Sequence, residues 1–301
     1  MEIHRRHGMT NGSVWFAVCV AVLFALSAGC TGSATDGDRA AVKLYVLDGG
    51  VLGSDPGRYN LTKEDVETTD LSVTAYLVVH SKGVLLWDTL SVSDEERAGE
   101  PAGGKKHLVL ANGQDRNMTL GPPLLAQLDS AGFKPADVQY VALSHYHWDH
   151  TANAGAFPQA TWLARQADYD AMFAPEPAGS VRPATYASLK KNPTVMVTAD
   201  EHDVFGDGSV ILKSAPGHTA GHQVLYVKLN NTGGVLLSGD LYHYPAERTL
   251  GRLPTFEVDA QQTESSRREV EAFMTRTGAK LWIQHDLPSL GKLKKAPEYY
   301  D

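Results

Sequence analysis

Four side chains able to bind a metal stand within six residues of this chain. They are His145, His147, Asp149 and His150, in the run Ser144-His145-Tyr146-His147-Trp148-Asp149-His150. With His at about one residue in 25 and Asp at about one in 20, four such positions coincide by chance on the order of once per 10⁵ starting points. Period-two alternation puts His145 and His147 on one side of an extended backbone, and Asp149 with His150 comes as the chain turns. Two groups of ligands can then face two adjacent ions. The preceding Val138 to Leu143 is apolar and β-prone, so it reads as a buried strand that delivers the cluster at its C-terminal end.

Three later segments have the same character. Pro216-Gly217-His218-Thr219-Ala220-Gly221-His222, Ser238-Gly239-Asp240 and Gln284-His285-Asp286 each follow a β-prone run. Strand ends meeting loops are how one scaffold gathers distant residues at a single site. Gly217 and Gly221 let the backbone turn tightly near an ion. Neutral imidazole and carboxylate are good ligands for Zn²⁺ and for other divalent first-row ions. Two ions about 3.5–4 Å apart hold a hydroxide between them at neutral pH, and a bridging carboxylate keeps the pair together. Asp240 is the candidate for that bridge.

The other parts of the chain limit what it can be. Of 301 residues, 43% are hydrophobic and 21% charged, an ordinary globular balance with material for a large core. Residues 1–29 read as a targeting segment. Arg5 and Arg6 give a positive start, and Val14 to Leu26 is an apolar run shorter than the roughly 20 residues that span a membrane. Ser27-Ala28-Gly29-Cys30 then resembles a bacterial lipoprotein signal, in which Cys30 is lipidated and becomes the first mature residue; ordinary secretion with cleavage near Ala28 is the alternative. The expectation is an exported protein anchored by lipid at the cell envelope. Residues 30–40 are expected to form a polar tether and residues 41–301 one domain that carries the metal-binding segments. Cleavage before Cys30 removes one acid and two arginines, so the formal charge moves from −8 to −9. An acidic body argues against a nucleic-acid partner. Cys30 would be the only mature cysteine, so the metal site has to be built from His and carboxylate.

Strands are expected over Ala41–Leu47, Leu71–His80, Gly83–Leu90, Val138–Leu143, Ser209–Ser214, Gln223–Leu229, Gly234–Ser238 and Lys280–Gln284. Helices are expected over Leu124–Ala131 and over Ala260–Thr277, the latter stopped by Gly278. Residues 91–123 are polar, Gly-rich and weakly patterned, and a lid is the expectation there. Runs of strands followed by mixed helix and strand, twice over, suit two sheets packed face to face with helices outside.

On these motifs the chain resembles the metallo-β-lactamase superfamily, over about Val42 to His285. The HxHxDH pattern is matched by His145, His147, Asp149 and His150, and the later His, Asp, His by His218, Asp240 and His285. The resemblance implies an α+β class and a four-layer αββα sandwich. It also implies that His145, His147 and His218 bind one ion, that Asp149, His150 and His285 bind the other, and that Asp240 bridges. Within the superfamily the chain looks most like the N-acyl homoserine lactonases, through Gly239-Asp240-Leu241-Tyr242-His243-Tyr244, Arg252-Leu253-Pro254-Thr255-Phe256 and Trp282-Ile283-Gln284-His285-Asp286. Other substrates of the superfamily, a β-lactam, a thioester or a phosphoester, are the rival expectation. A non-catalytic zinc-binding lipoprotein is a third.

The lactonase resemblance implies two divalent ions, Zn²⁺ with Fe, Mn²⁺ and Co²⁺ as alternatives, and a small lactone as the partner. It is compatible with a homodimer. A bridging hydroxide would attack the lactone carbonyl, and Asp149 would relay the proton to the leaving alkoxide. Members of that family place a Tyr three residues after the bridging Asp, against the lactone carbonyl. This chain has His243 there, between Tyr242 and Tyr244, so the contact falls to His243 or to a neighbouring Tyr, or is absent. The walls of the substrate groove are expected from residues 91–123 and 242–256.

Other polar residues carry two readings each. Asp88 either orients a ligand His or caps a turn. His222 either supports the ligands from behind or donates structurally to a backbone carbonyl. Asp286 is a cap or a supporting group. Tyr146 and Trp148 should pack in the core or at the rim, and His80, His107 and His202 should lie on the surface.

Overall fold

A computed structural model describes residues 41–301 apart from 111 and 177. The targeting segment and tether expected in residues 1–40 lie outside the described residues. Among the described residues, no helix is long and apolar enough to cross a membrane.

Among the described residues, thirteen strands form two sheets. The larger contains β1 (Lys43–Leu52), β2 (Leu71–His80), β3 (Gly83–Trp87), β4 (Lys105–Val109), β5 (Asp115–Leu120), β6 (Tyr140–Ala142), β7 (Thr161–Ala164) and β8 (Thr194–Met196), in the order β4-β5-β1-β2-β3-β6-β7-β8. The smaller contains β9 (Glu201–Asp203), β10 (Val210–Ser214), β11 (Gln223–Leu229), β12 (Gly233–Leu237) and β13 (Lys280–Trp282), in the order β13-β12-β11-β10-β9. The helices are α1 (Leu124–Ser130), α2 (Trp148–Thr151), α3 (Gln166–Met172), α4 (Pro183–Tyr186), α5 (Pro245–Leu250), α6 (Ala260–Thr277) and α7 (Leu287–Leu290).

Strand alternation sorts the apolar side chains into layers. Along β1, Leu44 and Val46 enter one core while Tyr45 and Leu47 enter another. Along β11, Leu225 and Val227 meet that first core, and Val224 and Tyr226 face a third. The shared core therefore lies between the sheets, with Trp87, Leu212, Val235 and Leu237 at its centre. Leu124 and Leu128 of α1 and Met172 of α3 cover the outer face of the large sheet. Val270, Phe273 and Met274 of α6 cover the outer face of the small one. This is the αββα sandwich, in the α+β class, that the motifs implied.

Most expected elements form where the pattern placed them, α6 included. Its Asp259 cap accepts a hydrogen bond from Gln262 N–H, and Gly278 ends it at φ +69°. The 91–123 stretch differs from the expectation of a loose lid. It folds as the β4-β5 hairpin, whose β5 pairs with β1 at Gly50, Val51 and Leu52. The approach to the hairpin is held by buried polar bonds. Asp94 accepts from the N–H groups of Leu124 and Leu125 at 2.8 Å, and the buried Arg97 donates to Gly121 O at 2.8 Å. Strands β7, β8 and β9 were not anticipated; each is three or four residues long.

Candidate metal centre

The four expected segments converge. The β6 strand ends at the 144–150 cluster, the β10-β11 loop carries His218, β12 runs into Asp240, and β13 runs into His285. Gln284 locks these ends together from the middle. Its Oε1 accepts from Trp87 Nε1 and from Gly239 N at 3.0 Å each, and its Nε2 donates to Thr74 O at 3.0 Å and Asp88 Oδ2 at 2.6 Å.

His145 Nε2 lies 2.8 Å from His147 Nδ1, which lies 3.0 Å from His218 Nε2. Asp240 Oδ2 stands 3.4 Å from His145 Nε2 and 3.2 Å from His218 Nε2. Metal–ligand bonds of about 2.0–2.1 Å put tetrahedral donors roughly 3.3 Å apart, so this set has the spacing of a cation cage. Three ring nitrogens aimed at one another have too few protons to pair among themselves, and a shared cation resolves that.

A second cage uses the other oxygen of the same carboxylate. Asp240 Oδ1 is 3.1 Å from His150 Nε2 and 3.0 Å from His285 Nε2, and Asp149 Oδ2 is 3.9 Å from His285 Nε2. The donor atoms of Asp149, His150 and His285 lie within 4.8 Å of one another. His150 Nε2 and Asp240 Oδ1 are buried without an aligned hydrogen-bond partner, as expected of atoms built to bind an ion. The residues thus fit two divalent cations, with Asp240 turning one oxygen to each.

The far nitrogens of His145, His150, His218 and His285 are tied down, and this fixes which nitrogen of each faces inward. His150 Nδ1 donates to Asp88 Oδ2 at 2.8 Å, His218 Nδ1 to Glu257 Oε1 at 2.9 Å, and His285 Nδ1 to Ser72 O at 2.6 Å. His145 Nδ1 lies 3.0 Å from Ser144 Oγ. Both readings of Asp88 hold, since its Oδ1 also accepts from Ser144 N at 2.6 Å where β6 ends. His222 is structural: it donates to Ala215 O at 2.9 Å and accepts from Asp240 N at 3.0 Å, and burial pushes it down to about 3, a neutral ring. Asp286 caps α7 by accepting from Ser289 N. Gly217 has φ +134°, and an added Cβ there would stand 2.3 Å from Thr263 N; one on Gly221 would stand 2.7 Å from the Asp168 carboxylate.

The charges follow from burial against neighbours. Burial drives His145 and His147 well below the ordinary imidazole range. Burial also opposes charge on His150, but Asp240 and Asp88 outweigh it and raise that ring well above the range. Asp240, disfavoured by its own burial, is held well below the usual carboxylate range by the surrounding imidazoles.

His243 and Tyr242 part company. The extended backbone at Tyr242 sends successive side chains to opposite sides. Tyr242 packs with Val270 and Phe273 under α6, and its hydroxyl donates to Glu271 Oε1 at 3.3 Å. It faces away from the cage, which corrects the expectation that it serves the reaction. Tyr244 is likewise engaged elsewhere, donating to Thr69 O at 2.7 Å. His243 faces the cage, with Nε2 3.1 Å from Asp240 Oδ2 and its ring stacked on His285 at 5.4 Å. Glu247, fully buried, accepts from His243 N at 3.0 Å and lies 3.3 Å from His243 Nδ1. Burial opposes charge on His243, but Asp240 and Glu247 push it up to about 10.

A cavity of about 180 Å³ opens onto the cages. His147, Asp149, Asp240, His243 and His285 form its base, with Phe256 from the expected 242–256 wall and Asn112, Gln114 and Arg116 from the hairpin. Trp148 is buried at the rim and Tyr146 in the core. The wall made by Leu52, Arg58, Tyr59, Leu71 and Ser180 was not anticipated, nor were the supporting acids Glu247 and Glu257; no local spacing marks them. His80 departs from its expected surface position. It is buried, stacked on Phe205 at 4.3 Å, with Nε2 2.9 Å from Asp207 Oδ2.

Comparison with known proteins agrees with this geometry. The metallo-β-lactamase superfamily model matches residues 68–285. The N-acyl homoserine lactonase AttM of Rhizobium johnstonii is 30% identical over 263 residues, covering 86% of this chain and 98% of that protein. A solved N-acyl homoserine lactone hydrolase, with the product N-hexanoyl-L-homoserine bound at its catalytic metal centre, superposes with a TM-score of 0.70. It is 22% identical, over 87% of this chain and all of that one. The dizinc quorum-quenching lactonase AidC gives a TM-score of 0.59 at 19% identity, over 87% of this chain and 95% of that one. With the ligand series, the sandwich and a relative matched along nearly its whole length, the chain belongs to the metallo-β-lactamase superfamily and, within it, to the N-acyl homoserine lactonase family.

Proposed function

We propose that this protein is a metal-dependent hydrolase that opens the ring of N-acyl homoserine lactones, using two divalent ions of which zinc is the first candidate. One observation carries the reading: Asp240 turns one oxygen to each of two donor sets, and the cavity opens on that shared carboxylate. The relative matched over 98% of its length supports the choice of substrate. His145, His147 and His218 would hold one ion, Asp149, His150 and His285 the other. When bound, such a pair supplies an activated water at neutral pH and polarises an ester carbonyl.

The chain's own residues set up the rest. His243 is the only ring of the 242–244 triplet that faces the cage, so it donates to the carbonyl oxygen as charge gathers there. Glu247 holds that ring from behind. Asp149, at the base of the cavity, takes the proton of the attacking water and passes it to the ring oxygen as the C–O bond breaks. One water is consumed: one of its protons ends on the new hydroxyl, and the other leaves to solvent as the new carboxyl ionises to a carboxylate.

The test is purified protein of measured metal content, offered N-hexanoyl homoserine lactone, a chromogenic β-lactam, a thioester and a phosphoester in parallel. The lactone should turn over fastest. Turnover of another substrate with the lactone untouched overturns the reading.

A further inference from the structure

Two arginines on the cavity wall have no role in the reaction. Arg58, half-buried, lays its guanidinium 4.7 Å from the centre of the Phe256 ring and makes no ion pair among the described residues. Arg116, also half-buried, donates only to neutral oxygens of its own strand and turn: Asp115 O at 2.9 Å and Gln114 Oε1 at 2.5 Å. Burial lowers the Arg116 guanidinium from its ordinary range and the like charge of Arg58 lowers it further, with Asp149 and Asp115 offsetting part of this. Neither guanidinium stands within ion-pair distance of a carboxylate among the described residues, so each lacks a forked anionic partner.

The acids of the cavity are Asp149 and Asp240, and both are committed to the cages. With two divalent ions held there, the fixed charge of the cavity is positive, and the arginines add to it. A plain alkyl tail would cover these guanidinium groups and give them nothing in return. A carboxylate matches their forked donors. Leu52, Leu71 and Trp148 line the same cavity and offer apolar surface that suits methylene groups.

We propose that the preferred lactone carries an anionic end on its acyl chain, a carboxylate, bound by Arg58 and Arg116 at the cavity wall. The proposal rests on the lactonase reading of the same site and narrows it.

The experiment compares kcat/KM of the metal-loaded enzyme for two homoserine lactones of equal acyl length. One is acylated with hexanoic acid and the other with adipic acid through one carboxyl, leaving the second free. The adipoyl substrate should be favoured by about tenfold, chiefly through KM, because a charged hydrogen-bonded pair contributes that much. The preference should shrink as salt rises from 0.05 to 0.5 M (on the order of a threefold change in Debye length). In an Arg58→Gln, Arg116→Gln double variant whose metal content and circular dichroism match the parent, the ratio should fall to about one; an Arg58→Lys, Arg116→Lys variant should recover part of it. Equal rates on the two lactones, or a ratio that survives the Gln double variant, overturn the proposal and leave the lactonase reading intact. Failure to open either lactone at full metal content overturns both.

Discussion

Asp240 does more than any other single residue here. Its Oδ2 faces the His145, His147 and His218 nitrogens, and its Oδ1 faces those of His150 and His285. Replacing it by Asn removes the one carboxylate of the first cage and one of the two carboxylates of the second. Asp240→Asn should lower bound metal from two toward one per chain and cut kcat/KM by at least about 100-fold. Elemental analysis beside a lactone assay checks this, and two retained ions with full turnover would contradict it. His243 tests the other half of the chemistry. His243→Phe keeps a ring against Tyr59, Phe256 and His285 but removes the donor. It should lower kcat by about 10²–10³ with metal content unchanged, the usual loss of one oxyanion donor. At this scale the convergence of the candidate donors was legible because coordination chemistry admits few residue types, and their spacing within one segment is rare. Which ring of the 242–244 triplet faces the site was not legible, because that depends on the backbone direction after Asp240. Arg116 and Glu247 lie in the stretches expected to wall the groove but nothing singled them out, and Arg58 and Glu257 come from segments whose own sequence bears no mark of the site.

Secondary-structure elements position the site through their ends. The strands β6, β12 and β13 each stop at a ligand, and Gln284 ties their ends to β2 and β3. The outer face of the small sheet, which carries two of these strand ends, is covered by α6. Phe273 is 1% exposed and meets Tyr226 edge-on at 5.3 Å, so Phe273→Ala should cost about 3–5 kcal/mol of unfolding free energy. Chemical denaturation monitored by circular dichroism measures that; a loss under 1 kcal/mol would show that α6 contributes little to the core. The helix and the buried strands were legible from periodicity, since each presents one apolar face or two. The β4-β5 hairpin was not. Its strands read Lys-Lys-His-Leu-Val and Asp-Arg-Asn-Met-Thr-Leu, with mostly solvated side chains, and they pair at the sheet edge where burial leaves no pattern. Strands β7, β8 and β9 are too short for alternation to register.

The whole chain is acidic, at a formal charge of −8, while its cavity sets Arg58 and Arg116 beside Asp149 and Asp240. Export and lipid attachment at Cys30 remain proposals drawn from residues 1–30. A Cys30→Ala chain should move from the membrane fraction to the soluble one in bacterial cells, and unchanged fractionation would dismiss the anchor. The central claim is that segments separated by up to 140 positions, from His145 to His285, build one two-cation site on which all activity depends. The measurement closest to that claim is a metal titration of stripped protein, with bound metal per chain and lactone turnover read from the same samples. Activity should be absent in the stripped protein and should saturate at two ions per chain. Full turnover in protein holding less than about a tenth of an ion per chain would contradict the account.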